Sequence, residues 1–181
     1  MKSSILKLVA LFLVSCGTYE EEKKTPYGLI QTSYGDMVFE FYDETPLHRK
    51  SFLHLAENKY WDSLTFNRVI KDFVIQGGCP DTPEGFDSTH YLIKPEFYSE
   101  IKHMYGAVGM GRDNNPEKLS AGCQFYIVNK KEGLPFLNDN YTVFGKLISG
   151  FDVLDSISNV QTDSLDQPIE SIQMKVKILK Q

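Results

Sequence analysis

The chain has 181 residues, 41% of them hydrophobic and 24% charged, with 19 Lys and Arg against 24 Asp and Glu for a formal net charge of -5. That length suits one domain with appendages, large enough to bury a core without covalent staples. The acidic balance, with no basic run longer than a Lys-Lys pair, excludes a nucleic-acid binder held by phosphate neutralisation. No apolar run approaches the ~20 residues of a membrane-spanning helix, and 3 cysteines are too few for a disulfide scaffold.

Lys2 and Lys7 precede an apolar stretch from Leu8 to Val14, then Ser15 and Cys16. A charged segment followed by a short hydrophobic one reads as a signal peptide over residues 1–15 rather than a membrane span. Leu13-Val14-Ser15-Cys16 resembles the bacterial lipobox, in which the cysteine is lipidated and becomes the mature N-terminus. That resemblance implies a membrane anchor at Cys16 in the bacterial cell envelope, on its periplasmic or surface face, with each buried acyl CH₂ contributing ~0.8 kcal/mol. The alternative is an ordinary secretory signal in which Cys16 is coincidental. Residues 16–26 read as lipidated cysteine and polar tether, centred on Glu20-Glu21-Glu22-Lys23-Lys24. Loss of Lys2 and Lys7 with the leader leaves 17 basic against 24 acidic side chains, a balance of -7.

Residues 27–181 contain no repeat, low-complexity tract or second linker and read as one domain. Leu29 to Thr32 and Met37 to Tyr42 flank Tyr34-Gly35-Asp36 as a hairpin, with Met37, Phe39 and Phe41 on one face. Thr45-Pro46 predicts an N-cap and first-turn proline for a helix that places Phe52, Leu55 and Ala56 on one side as far as Asn58. Leu64 to Val69 and Phe73 to Gln76 are short strands, the second broken by Gly77-Gly78-Cys79-Pro80. Residues 79–106, rich in Pro, Asp, Gly and Thr, read as a long irregular stretch of the functional kind. Strands follow at Ala107 to Met110, Gln124 to Asn129 and Tyr141 to Leu147. A second helix opens at Gly150-Phe151 with Phe151, Leu154 and Ile157 on one face. Ile172, Met174, Val176 and Ile178 then alternate with polar residues as a half-buried strand. Many short strands with two helices predict a mainly β fold, a closed barrel whose openings the helices cover.

Several chemistries lack their motifs. His48, His54, His90 and His103 have no metal-ligand spacing with one another or with a cysteine. There is no nucleophile elbow or Walker loop, and Cys123 reads as a structural cysteine rather than a nucleophile.

Phe66-Asn67-Arg68-Val69-Ile70-Lys71-Asp72-Phe73-Val74-Ile75-Gln76-Gly77-Gly78 resembles the signature block of the cyclophilin-type peptidyl-prolyl cis-trans isomerases. Gly106 to Gly111, Gly122-Cys123-Gln124-Phe125-Tyr126-Ile127-Val128 and Leu137 to Gly145 resemble three further blocks of that family, in the right order and spacing. The resemblance spans essentially residues 28–180. It implies a closed eight-stranded antiparallel β-barrel capped by two α-helices, acting as a monomer on proline-containing unfolded or exported polypeptides with no cofactor or metal.

It also implies roles. Arg68 is the catalytic donor; Phe73, Val74, Tyr126 and Leu137 surround the proline ring; Gln76 and Gln124 hold the peptide and steady the arginine. Phe136 and Tyr141 fall on the rim, and backbone around Gly111 and Arg112 pairs with the substrate main chain. Val74 stands where methionine is usual, Tyr126 brings a hydroxyl that needs a partner, and Gly111-Arg112 replaces the usual Ala-Asn ahead of a loop lengthened at Asn114 to Ser120. Phe136 in place of tryptophan implies weaker cyclosporin binding. The same fold brings Cys79 and Cys123 near one another, as a disulfide or as two thiols. A proline-peptide binding module and a barrel carrying a small ligand in its lumen are the rival readings.

Overall fold

A computed structural model describes residues 25–79 and 92–180; the leader and most of the tether lie outside the described residues. Strands β1 (Tyr27–Thr32) and β2 (Gly35–Phe41) form the hairpin, and helix α1 (Pro46–Glu57) follows. Next come β3 (Thr65–Val69), β4 (Val74–Gly78), β5 (Leu92–Ile93), β6 (Ala107–Met110), β7 (Ser120–Ala121), β8 (Gln124–Val128), β9 (Val143–Ser149) and helix α2 (Phe151–Ser158). Strands β10 (Ile172–Gln173) and β11 (Lys175–Leu179) end the chain.

The main sheet is antiparallel in the order β10-β3-β4-β8-β6-β9-β2-β1-β11. Its two ends are consecutive pieces of one C-terminal strand, parted only by Met174. The first piece pairs with β3 and the second with β1. Joining them closes the ring, so the nine strands are the predicted eight-stranded barrel with its last strand counted twice.

Side-chain alternation divides inside from outside. Phe39, Phe66, Ile75, Phe125, Ile127 and Phe144 point into one buried core, together with Phe52 and Leu55 of α1 and Val153, Leu154 and Ile157 of α2. Phe52 is the hub, with ring centroids 5.2–5.7 Å from those of Phe39, Phe41, Trp61, Phe125 and Phe144. Edge-to-face and tilted pairs of this kind contribute beyond their buried area. Among the described residues the barrel interior is filled with side chains. The opposite side of β4 and β8 carries a second cluster, Val74, Tyr126 and Val128 with Ala107, Leu134, Leu137 and Val143, on the outer face of the barrel.

Four sequence expectations change. Thr45 makes no capping bond; its hydroxyl reaches back to Tyr42 O. The carboxylate of Glu96 caps α1 instead, accepting the N–H groups of Leu47 and His48, each at 3.1 Å. A carboxylate at a helix N-terminus also suits the helix dipole. Gly77 and Gly78 are the last two residues of β4, so the strand runs through them before it ends. Gly78 has φ +108, and a Cβ there would collide with Cys123 O, so glycine lets two backbones approach where any other residue would push them apart. Within residues 79–106, Leu92–Ile93 pairs with Ser120–Ala121 as a separate two-stranded sheet. The seventh strand of the barrel, β9, begins at Val143, freeing Tyr141 for the outer face.

Candidate active site

Strict alternation along β3 would send Arg68 to the same side as Phe66, into the barrel. The β3–β4 register shifts between Phe66 and Arg68, so that Phe66 opposes Gly77 while Arg68 opposes Gln76. The extra residue is a bulge, which reverses the facing of everything after it. Phe66 and Val69 consequently both join the inner core, and Arg68 stands outside beside Gln76.

On β8 the register Gly78↔Gln124, Gln76↔Tyr126 and Val74↔Val128 puts Gln124 and Tyr126 on that same outer face. These strands form the base of a groove of about 500 Å³. Arg68, Phe73, Val74, Gln76, Gly111, Arg112, Gln124, Tyr126, Leu137 and Tyr141 line it, and Asp113 joins them. All but one of the groove residues read from the sequence are thus brought together, and Cys16 lies outside the described residues. The exception, Phe136, stands at the edge, 66% exposed, stacked on Phe73 with centroids 6.1 Å apart and planes 6° from parallel.

The guanidinium of Arg68 is partly open to solvent and donates from Nη1 to Gln76 Oε1 at 3.4 Å. Gln124 donates to Cys79 O at 3.1 Å, and its side chain fills the space that a Cβ on residue 111 would need, which glycine leaves clear. Cys79 and Cys123 are joined as a disulfide with Cα atoms 5.4 Å apart, one residue beyond the Gly78–Gln124 pair, so a covalent link closes that end of the ladder.

Tyr126 finds its partner in His103. The ring Nε2 lies 2.8 Å from the phenol oxygen, and Nδ1 lies 2.8 Å from Asn138 Oδ1. Burial pushes the Tyr126 phenol well up and the His103 imidazole down, so both are neutral. Arg112 is a strut: Nε donates to Asn140 O at 2.8 Å, Nη1 to Asp113 O at 2.8 Å, and the guanidinium covers Tyr141 at 4.8 Å from its centroid. Gly111 spends its N–H on Gln124 O and accepts from Ala121 N–H.

A second buried cluster escaped the sequence reading. His48 Nδ1 lies 2.7 Å from Glu96 Oε2 and Nε2 lies 2.9 Å from Ser120 Oγ. His48 and Ser120 are almost wholly buried, so this network fastens α1 to β7 and offers no entry to a substrate. Nothing in the local sequence links residues 48, 96 and 120; only the tertiary fold does. Asp113, absent from the residues read from the sequence, directly follows Arg112 in the chain.

The chain is similar to proteins of one family. The family model for cyclophilin type peptidyl-prolyl cis-trans isomerases matches residues 27–178. Peptidyl-prolyl cis-trans isomerase-like 3 of Dictyostelium discoideum is 38% identical over 149 residues, covering 81% of this chain and 90% of that protein. Peptidyl-prolyl cis-trans isomerase CYP18-1 of Arabidopsis thaliana is 38% identical over 148 residues, 80% of this chain and 90% of that one. The crystal structure of a cyclophilin type peptidyl-prolyl cis-trans isomerase from Cryptosporidium parvum aligns with TM-score 0.77 at 34% identity, over 87% of this chain and 99% of that one. The same protein crystallised in the presence of the dipeptide Ala-Pro aligns with TM-score 0.75. The chain belongs to the cyclophilin-type family and is a peptidyl-prolyl cis-trans isomerase.

Proposed function

We propose that this chain is a lipid-anchored isomerase of a bacterial envelope that accelerates X-Pro rotation in unfolded or exported polypeptides, with Arg68 as the catalytic group. The carrying observation is the position of one guanidinium, beside Gln76, at the edge of a groove on the outer wall of the barrel that Phe73, Val74, Tyr126 and Leu137 help to line.

Rotation about a peptide bond meets a barrier of roughly 18–20 kcal/mol, and an X-Pro bond takes tens of seconds or more unaided. No covalent step is needed; the site has to bind the twisted amide better than either planar form. In the twisted state the prolyl nitrogen regains a lone pair. Arg68, always charged and with a planar fork of donors, supplies a hydrogen bond that strengthens as the bond twists. Phe73, Val74, Tyr126 and Leu137 receive the proline ring, Gln76 and Gln124 hold the peptide, and Phe136 and Tyr141 form the rim. With both backbone groups of Gly111 engaged within the fold, main-chain pairing with substrate falls to Arg112. The dipeptide in the Cryptosporidium parvum crystals supports a proline-containing ligand for this groove.

Two features support export. Cys16 ends a lipobox-like leader, and the Cys79–Cys123 disulfide suits an oxidising compartment. The envelope location, the monomeric state and the anchor form one reading with them. Proline-limited refolding of a model protein tests the activity. The domain accelerates the slow phase, and Arg68→Ala lowers that acceleration by about 10²-fold or more, the scale of one lost transition-state donor. No acceleration by the parent would leave a peptide-binding module. Mass spectrometry of the mature N-terminus tests the anchor, and an unmodified Cys16 in membrane-free material would remove it.

A further inference from the structure

Arg68 faces a second group besides Gln76. The carboxylate of Asp166 lies 3.8 Å from its Nε, an ion pair in which both side chains keep solvent access, 36% and 45% exposed. No sequence block points to residue 166, which is almost a hundred positions away in the segment between α2 and β10.

The chain holds Asp166 there firmly. Asp163 Oδ1 accepts the N–H groups of Leu165 and Gln167, at 2.8 and 3.0 Å. Asp163 N–H donates to Gln167 O at 2.9 Å, and Thr162 bridges Pro168. The turn is docked on β3 through Val69 N–H, which donates to Asp166 O at 2.8 Å directly after Arg68. One residue thus presents its carbonyl to the backbone of position 69 and its carboxylate to the side chain of position 68. Asp166 adopts φ +62, where asparagine and glycine are also at ease.

We propose that Asp166 is a positioning residue for Arg68, and this rests on the catalytic role of Arg68 given above. Guanidinium donors point along three edges. Gln76 takes a donor of Nη1 and Asp166 faces Nε, so the remaining donors of Nη1 and Nη2 are left for the twisting amide. Two anchors on separate strands and turns fix the plane of the fork, whereas Gln76 alone would leave it free to swing about one bond. The carboxylate faces Nε rather than the outer Nη donors, so it orients the charge and leaves those donors for the amide.

Asp166→Asn removes the charge and keeps the turn. Its expected effect is a fall in kcat/KM of about three- to fivefold, the scale of one solvent-accessible ion pair, with a shift and faster solvent exchange of the Arg68 Nε–H resonance, assigned by its loss in Arg68→Lys. If Asp166→Asn does not fold, Asp166→Gly carries the same measurement. Unchanged kcat/KM, or an unmoved Nε–H resonance, overturns the inference. Failure of the underlying reading is separable: it would appear as full activity in Arg68→Ala, whereas the resonance reports the Asp166–Arg68 pair whatever the catalysis.

Discussion

The phenol of Tyr126 donates to Nε2 of His103. The direction is fixed, because Asn138 Oδ1 accepts both the backbone N–H and Nδ1–H of His103 and leaves Nε2 as the acceptor. The floor of the proline pocket is therefore held by a hydrogen-bonded chain three side chains long. Tyr126→Phe should leave a buried acceptor unsatisfied and cost about 1–2 kcal/mol of stability, with isomerase activity nearly unchanged because the ring remains. Urea unfolding and peptide isomerisation measured on the same samples check both halves.

Phe136 acts on binding more than on folding. With two thirds of its surface in solvent, its truncation falls among surface changes worth within about 0.5 kcal/mol of stability. Phe136→Ala should nevertheless raise KM for prolyl peptides by removing the stacked extension of Phe73, and Phe136→Trp should tighten cyclosporin binding. Titration of peptide and of cyclosporin by fluorescence distinguishes these from a general loss of fold.

The disulfide closes a sequence separation of 44 residues. By the chain-entropy relation such a loop contributes about 4 kcal/mol. Replacement of Cys79 and Cys123 by serine should lower the unfolding free energy, read from urea unfolding, by a large fraction of that. It should also weaken peptide binding, because the Cys79 carbonyl that holds Gln124 loses its restraint. A double-serine variant with parental stability would show that the bond contributes little.

Acid should destabilise the domain before the carboxylates titrate. Burial lowers the pKa of both His48 and His103 beneath the ordinary 6.5. His48 faces Glu96 and Ser120, and His103 faces Asn138 and Tyr126. The unfolded chain takes up protons near pH 6.5 that the folded chain refuses, so stability declines as pH falls from 6.5 toward the folded values. The urea midpoint should be lower at pH 5.5 than at pH 7.5. Asp43 and Asp155, lowered by hydrogen bonds to Arg49 and Lys131, contribute only in the carboxylate range far below.

Period-two alternation made the hairpin and the last strand visible in the sequence, and helical spacing revealed both helices. The groove was legible because its residues lie in contiguous blocks: residues 66–78 span β3 and β4, and residues 122–128 hold β8. What stayed hidden was non-local. Glu96 caps a helix that begins at position 46, His48 bonds to Ser120, and Asp166 meets Arg68; no periodicity couples such distances. Thr45 carried the right local signal for a cap, and a carboxylate from elsewhere took the position. Gly77 and Gly78 looked like strand breakers because sequence does not reveal which glycines are required by a neighbouring backbone.

The bulge before Arg68 makes the register of β3 a catalytic parameter. Phe66 opposes Gly77 and Arg68 opposes Gln76, so Asn67 is the residue that the pairing skips. Were the bulge carried past Arg68, every chemical group of the site would be kept, yet unbroken alternation from Phe66 would turn the guanidinium into the aromatic interior. A buried, unpaired cation there costs several kcal/mol, so the shifted chain would lose fold and activity together. The place of one extra residue decides on which side of the wall the charge stands.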